Sequence, residues 1–181
     1  MEYRTISLCD ILSSNQAHSQ TPSFLEDFSC SKNKDLEHFI RNKAIEFEKA
    51  HRSRTFLILK SNKLEAFFTL SLNVLKTQGL SKSRIQKLSP RNNKKDTDIP
   101  CILIGQFGKC DGASIDGDLI MQTMLAILLD IRKYIGGKFV LLDSVNVEKV
   151  LDFYERHGFK RISFEKESEE VKMIRYFSRD L

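Results

Sequence analysis

The chain has 181 residues, 41% of them hydrophobic and 29% charged, with 13 Phe and no Trp. That composition excludes an intrinsically disordered chain and suits one globular domain with a sizeable core. The longest apolar stretch, Leu119 to Ile131, is interrupted by Gln122 and too short to span a bilayer, and "MEYRTISLCDILSSNQ" lacks the basic-then-apolar pattern of a signal peptide. A cytoplasmic protein with no membrane association is expected.

The opening "YRTISL" alternates as a strand does, and the polar, irregular stretch from Asp10 to Ser31 follows it. "KDLEHFIRNKAIEFEKAH" is an amphipathic helix, because Leu36, Phe39, Ile40, Ala44 and Phe47 recur at spacings of three and four. Asn33 or Asp35 is placed to cap its start. "RTFLILK" and "LEAFFTLSLNVL" read as two strands joined by a tight "SNK" turn.

Ser81 to Asp98, "SKSRIQKLSPRNNKKDTD", then carries six basic residues against two aspartates, a local charge of +4 out of the net +5. Lys87, Arg91, Lys94 and Lys95 lie in it. Such a stretch attracts phosphate and is a candidate for nucleic-acid contact, while the plainer reading is a solvated, mobile basic loop. Pro100 opens the strand "CILIGQFGK". A long helix is expected from about Gly117 to Tyr134, stopped by Gly136 and Gly137. "KFVLLDS" is the continuous apolar run of a strand covered on both faces. Asn146 is placed to cap "VEKVLDFYERH", with Gly158 in the left-handed position past its end and His157 beside it at the helix C-terminus. "FKRISFEKESEEVKMIRYF" closes as a hairpin with a charged turn. The order is mixed α/β, antiparallel in its first half with helical crossovers in its second.

The four cysteines, Cys9, Cys30, Cys101 and Cys110, form no CxxC and no metal-ligand spacing with the histidines, so reduced thiols and no metal site are expected. Between "LIGQFGK" and the long helix lies "ASIDGDLIM". A strand, a loop and a helix start are a common way to present backbone N–H groups to a phosphate, and glycine there lets the backbone approach closely. Only Gly117 stands in this segment, between Asp116 and Asp118, and aspartates repel a phosphate placed in the same spot.

"DFYERHGF" (Asp152 to Phe159), preceded by "FVLLDS", resembles the FYE-x-x-GF signature after the fifth strand in the GNAT superfamily of N-acetyltransferases. "FSCSKNKDLEHFIRNKA", "RTFLILKSNKLEAFFTLS" and "IPCILIGQFGK" are similar, in that order, to the first half of its toxin-type branch, which acetylates aminoacyl-tRNA. The resemblance covers about residues 3 to 178. It implies a single α/β (α+β) domain over 1–181, with a mixed central sheet of about six to seven strands flanked by helices.

It also implies acetyl-CoA as co-substrate and Tyr154 as the proton donor to the leaving thiolate, although Tyr154 lies among Val150, Leu151 and Phe153 and equally suits a core aromatic. Phe107, Gly108 and Lys109 would present backbone groups to the coenzyme where the fourth and fifth strands splay. The family's coenzyme loop, Q/R-x-x-G-x-G/A, falls on Asp116 to Met121, so that Gly117, Asp118 and Leu119 would face the pyrophosphate, with Leu119 and Met121 in place of glycines. An alignment shifted by a few residues brings in Gly112. Asn146 would touch the pantetheine arm. No general base stands out; Glu65 and Asp143 are the nearest carboxylates by strand order.

Three functions stay open: acetylation of a primary amine such as that of aminoacyl-tRNA, acetylation of a protein or small-molecule amine, and a non-catalytic GNAT-fold binding module with a decayed loop. The toxin branch further implies charged tRNA and an antitoxin protein as partners. By the same analogy, a homodimer would pair exposed strands or the apolar face of the N-terminal helix.

Overall fold

Ser61 (φ 49°) and Asn62 (φ 62°) are consecutive left-handed residues in the computed structural model, which describes residues 2–14, 23–162 and 169–177. Two such residues form the turn whose twist matches that of a hairpin, and they join β2 (Arg54–Lys60) to β3 (Lys63–Lys76) in antiparallel register, Lys60 opposite Lys63. β1 (Arg4–Ser7) pairs antiparallel with β2. With β4 (Asp98–Lys109), β5 (Phe139–Val145), β6 (Lys160–Arg161) and β7 (Glu170–Tyr176) they form one seven-stranded sheet in the order β1-β2-β3-β4-β5-β7-β6. β4 and β5 are parallel, with Ile102–Ile104 opposite Val140–Leu142, and β7 is antiparallel to both β5 and β6. This is the mixed sheet flanked by helices that the sequence implies.

The chain divides into two compact units, residues 1–71 with 105–127 and residues 72–104 with 128–181. In the first, α1 (Leu8–Ser13), α2 (Ser23–Glu26), α3 (Lys34–His38) and α4 (Ala44–Lys49) accompany β1 and β2. The core gathers Leu8, Phe28, Ile40, Leu57 and Leu64 around Phe67, whose ring meets Phe28 edge-on at 5.2 Å and stacks on Phe39 at 6.1 Å. The expected continuous helix from Lys34 is interrupted by a π-helical turn, Phe39–Lys43, within which Phe39 and Ile40 are both buried. The wider turn is a local insertion in the helix, and Phe39 and Ile40 keep the core-facing positions that their three- and four-residue spacing from Leu36 indicates.

In the second unit, Ile85 and Leu88 of α5 (Lys82–Leu88) pack with Leu75, Ile99, Phe139, Leu141 and Ile174. Ser81 caps α5 by accepting the Arg84 N–H, so the basic stretch, expected as a mobile loop, begins as a helix. α6 (Gly117–Arg132) carries residues of both units, and α7 (Glu148–Arg156) follows β5. The charged turn of the final hairpin falls at 163–168, outside the described residues. Among the described residues no helix is long and apolar enough to cross a membrane.

Asn33 behaves as its sequence position indicates. Its side-chain oxygen accepts from the N–H groups of Asp35 and Leu36, at 3.1 and 3.2 Å. Asn33→Ala should therefore lower stability by about 1 kcal/mol, read as a shift in the denaturant midpoint at unchanged slope.

Candidate functional site

β4 ends against a ring. A Cβ at Gly108 would lie 2.7 Å from Cε1 of Phe67, so only glycine fits where the strand delivers Phe107, Gly108 and Lys109 to the following loop. Two residues earlier the Gln106 N–H donates to Oγ1 of Thr69 at 2.8 Å, a side chain taking the place of a strand carbonyl. Lys109 is exposed, and Phe107 is half-buried.

The loop from Cys110 to Asp116 is tied at several points. Its start is held to β3 by the Cys110 N–H, which donates to the Glu65 carbonyl at 2.8 Å. The Asp111 N–H donates to Ser29 O, while the N–H and hydroxyl of Ser31 donate to the Asp111 carboxylate. Gly112 adopts φ +69°, the left-handed conformation glycine tolerates best. Farther on, one carboxylate oxygen, Glu65 Oε2, accepts from the Ser114 N–H (2.6 Å), the Ser114 hydroxyl (3.0 Å) and the Ile115 N–H (3.2 Å). Lys60 Nζ donates to Ser114 Oγ at 2.8 Å, and the Tyr3 hydroxyl lies 3.0 Å from that same oxygen. Partial burial pushes the Glu65 carboxyl up, but the Ile115 and Ser114 donors and the Lys60 charge outweigh it and hold its pKa below the ordinary value.

Asp116 caps α6, its Oδ1 accepting the Leu119 N–H at 2.8 Å. The Leu119 N–H thus donates to the chain's own aspartate. Leu119 keeps a partly exposed side chain, whereas Met121 is fully buried, so the second glycine position of the loop pattern is core here. Gly117 and Asp118 form the first turn of α6, at the positive end of its dipole. A cavity of about 440 Å³ lies against the loop, lined among others by Asp27, Lys63, Glu65, Asp111 and Gly112.

Tyr154 belongs to the other unit, on α7. Its C-terminus is closed by a pair of bonds: Gly158 N–H to Glu155 O at 2.9 Å and Phe159 N–H to Tyr154 O at 3.1 Å, with Gly158 at φ +82°. That pattern is commonly accompanied by an apolar contact across the turn, which the Tyr154 and Phe159 rings supply edge-on at 5.7 Å. "FYERHGF" is thus a helix-ending unit in its own right, with His157 at the C-cap as expected. Tyr154 is 9% exposed, and burial pushes its phenol up to about 12, so it stays protonated throughout the neutral range.

Asn146 does not cap α7. The cap is Val147, which makes no side-chain bond, and Asn146 is an exposed residue whose N–H donates to Glu169 O. The helix begins one residue later than its pattern suggests, because the Val147 carbonyl accepts from both Val150 and Leu151. Asp143 is engaged by Lys172 at 2.7 Å.

The basic residues sit on a built turn and not on a mobile loop. Asp96, buried, accepts from the Ser89 hydroxyl (2.6 Å), Arg91 (3.2 Å) and the Asn93 amide (2.8 Å). The Ser89 bond foremost, aided by Arg91 and Asn93 against the opposing effect of burial, holds its pKa below the usual range. Arg91 is therefore partly neutralised. Lys87 lies over the Tyr176 ring at 5.1 Å, and Lys94 and Lys95 are exposed. No sequence pattern flagged Asp96 as the organiser, since an acidic residue in a basic run reads as mere dilution. A groove of about 690 Å³ in the same unit is lined by Leu72, Val74, Pro90, Pro100 and Ile135 among others.

Sheet order, parallel β4–β5 pair and flanking helices together make a GNAT-like α/β fold. The sequence matches no family model and no curated protein. Solved structures do match. A bacterial toxin superposes with a TM-score of 0.71 at 17% identity, covering 97% of this chain and 90% of its own. AtaT complexed with acetyl-methionyl-tRNAfMet gives 0.70 at 16%, covering 97% and 94%. A tyrosine-to-phenylalanine mutant of the AtaT toxin, bound to acetyl-CoA and the C-terminus of the antitoxin AtaR, gives 0.66 at 13%, covering 95% and 92%.

Gly108→Ala should destabilise the protein by about 1 to 3 kcal/mol, since the added methyl meets the buried Phe67 ring. Thermal unfolding of the variant checks this, with Gly112→Ala as a comparison at a site with open space but a left-handed backbone.

Proposed function

We propose that this protein is a GNAT-type N-acetyltransferase that transfers the acetyl group of acetyl-CoA to a primary amine, with the α-amino group of an aminoacyl-tRNA as acceptor. The observation that carries the reading is the full-length match of its fold to AtaT, a toxin seen with acetyl-methionyl-tRNAfMet, combined with an intact Tyr154 in "FYERHGF".

Acetyl-CoA supplies an activated thioester. Tyr154 would donate a hydrogen bond to the departing sulfur, and burial of the phenol favours its protonated form near neutrality. A thiolate leaving beside Tyr154 would be raised by the same desolvation, so burial of the phenol does not by itself widen the gap between donor and leaving group. Neither Glu65 nor Asp143 serves as base in this scheme, because each is held by hydrogen bonds or an ion pair. The α-amine of an aminoacyl ester is less basic than lysine and substantially unprotonated near neutrality, so positioning and a proton donor suffice without a general base. Phe107, Gly108 and Lys109 would offer backbone groups to the coenzyme, Asn146 would lie beside its pantetheine arm, and Gly112, Gly117 and Asp118 would serve the pyrophosphate. Lys94 and Lys95, with Lys87 and Arg91, would bind tRNA phosphates. An antitoxin protein would be the partner of a toxin of this kind, and a homodimer is the assembly that the resemblance implies.

A second reading, a non-catalytic binding module, is favoured by one feature: Glu65 and Asp116 already occupy the Ser114, Ile115 and Leu119 N–H groups. Calorimetric titration with acetyl-CoA separates the two, since a module without coenzyme binding gives no heat and no shift in melting temperature.

Tyr154→Phe keeps the ring contact with Phe159 and should lower turnover by about 100-fold or more with the fold intact. Its turnover is compared with wild type under saturating acetyl-CoA, and equal rates would make Tyr154 a packing residue. Exchanging Lys94 and Lys95 for glutamate should weaken tRNA binding and flatten its dependence on log salt by about 0.7 to 0.9 for each phosphate no longer neutralised. Arg91→Gln should lower the salt slope less than Lys94→Gln or Lys95→Gln, because Asp96 already engages the Arg91 guanidinium.

A further inference from the structure

Glu65 closes the loop from both sides. Its carbonyl takes the N–H of Cys110 at the loop's start, and its carboxylate takes the N–H groups of Ser114 and Ile115 at the loop's end. Two consecutive N–H groups aimed at one oxygen form the kind of concavity that ordinarily receives an anion. Here the anion is a side chain 49 residues away in sequence, and the N···O distance of 2.6 Å at Ser114 marks a short bond. Lys60 reaches the same cluster through Ser114 Oγ and offsets the carboxylate charge, and Tyr3 abuts it. Directly after this anchored turn Asp116 caps α6, and Gly117 and Asp118 open it. In a glycine-rich loop, backbone freedom lets the chain mould itself around a phosphate. With Leu119 and Met121 in the glycine positions that freedom is missing, and the path of the chain into α6 is imposed from outside by Glu65.

We propose that Glu65 is a positioning residue for the coenzyme loop: by fixing Ser114 and Ile115 it sets where the first turn of α6 meets the pyrophosphate of acetyl-CoA. This rests on the acetyltransferase reading. The role needs the reach of the side chain and its acceptor oxygen, while its charge is secondary because Lys60 lies close to it. It is a different role from that of a general base, since Glu65 touches the loop and not the reacting atoms.

Three substitutions in the full chain separate geometry from charge. Glu65→Gln keeps the reach and an acceptor but removes the charge; Glu65→Asp keeps the charge but withdraws the acceptor; Glu65→Ala removes both. Acetyl-CoA affinity is measured by calorimetry, KM and kcat by steady-state turnover, and amide hydrogen exchange at Ser114 and Ile115 reports the anchoring itself. Glu65→Ala and Glu65→Asp should weaken acetyl-CoA binding by about tenfold or more, raising KM with kcat nearly unchanged and speeding exchange at both amides. Glu65→Gln should restore binding to within about threefold of wild type and keep both amides protected. If Glu65→Gln binds more tightly than wild type while Glu65→Asp matches it, the carboxylate is a competitor of the phosphate and the inference is wrong. If wild type binds acetyl-CoA and all variants bind equally well, the inference alone fails. If wild type binds none, the acetyltransferase reading fails and takes the inference with it. Should Glu65→Ala not fold, the Gln and Asp pair decides the matter.

Discussion

The approach of β4 to the ring of Phe67 is the constraint on which the first unit depends. Phe67 is fully buried, touched by Phe28 on one side and Phe39 on another, and it leaves no room for a side chain at Gly108. Because the strand is fixed there, Lys109 and Cys110 leave the sheet at a set point. The loop that follows must then start within bonding distance of the Glu65 carbonyl. A buried aromatic cluster thus determines where a surface loop begins, through ordinary close packing.

With Leu119 and Met121 in the glycine positions, carboxylates elsewhere in the chain hold the loop. Glycine supplies freedom and leaves N–H groups for a ligand, whereas Glu65 and Asp116 supply acceptors and consume some of those donors. Each carboxylate gains charge-assisted bonds, and each makes the loop a defined structure without a ligand.

The segment "FYERHGF" shows how a signature can have two causes at once. Its glycine, its last phenylalanine and its tyrosine are each accounted for by the way the helix ends: Gly158 in the left-handed region, the Phe159 N–H returning to Tyr154 O, and the two rings in contact. That arrangement buries the phenol almost completely and keeps its proton on. The same packing that explains Tyr154 as a core residue also gives it the protonation state a donor to sulfur requires.

Much was legible in the chain itself. Strand and helix order, the cap at Asn33, the hairpin at Ser61 and Asn62, and the turn at Gly158 all rest on interactions within a few residues, where local conformational preference decides the outcome. The extended order of motifs carried the GNAT-like fold. Tertiary structure alone decided the rest. The bonds from Ser114 and Ile115 to Glu65 span 49 and 50 residues, so no local pattern announces them. Asp96 turns an apparent mobile loop into an ordered one because burial makes its hydrogen bonds obligatory. Val147 rather than Asn146 starts α7, since the path of the chain out of β5 overrides the capping preference of a side chain. The sequence by itself determined which elements exist and in what order; where a carboxylate finds its partners was settled only by folding, which brings distant strands and loops within hydrogen-bonding range.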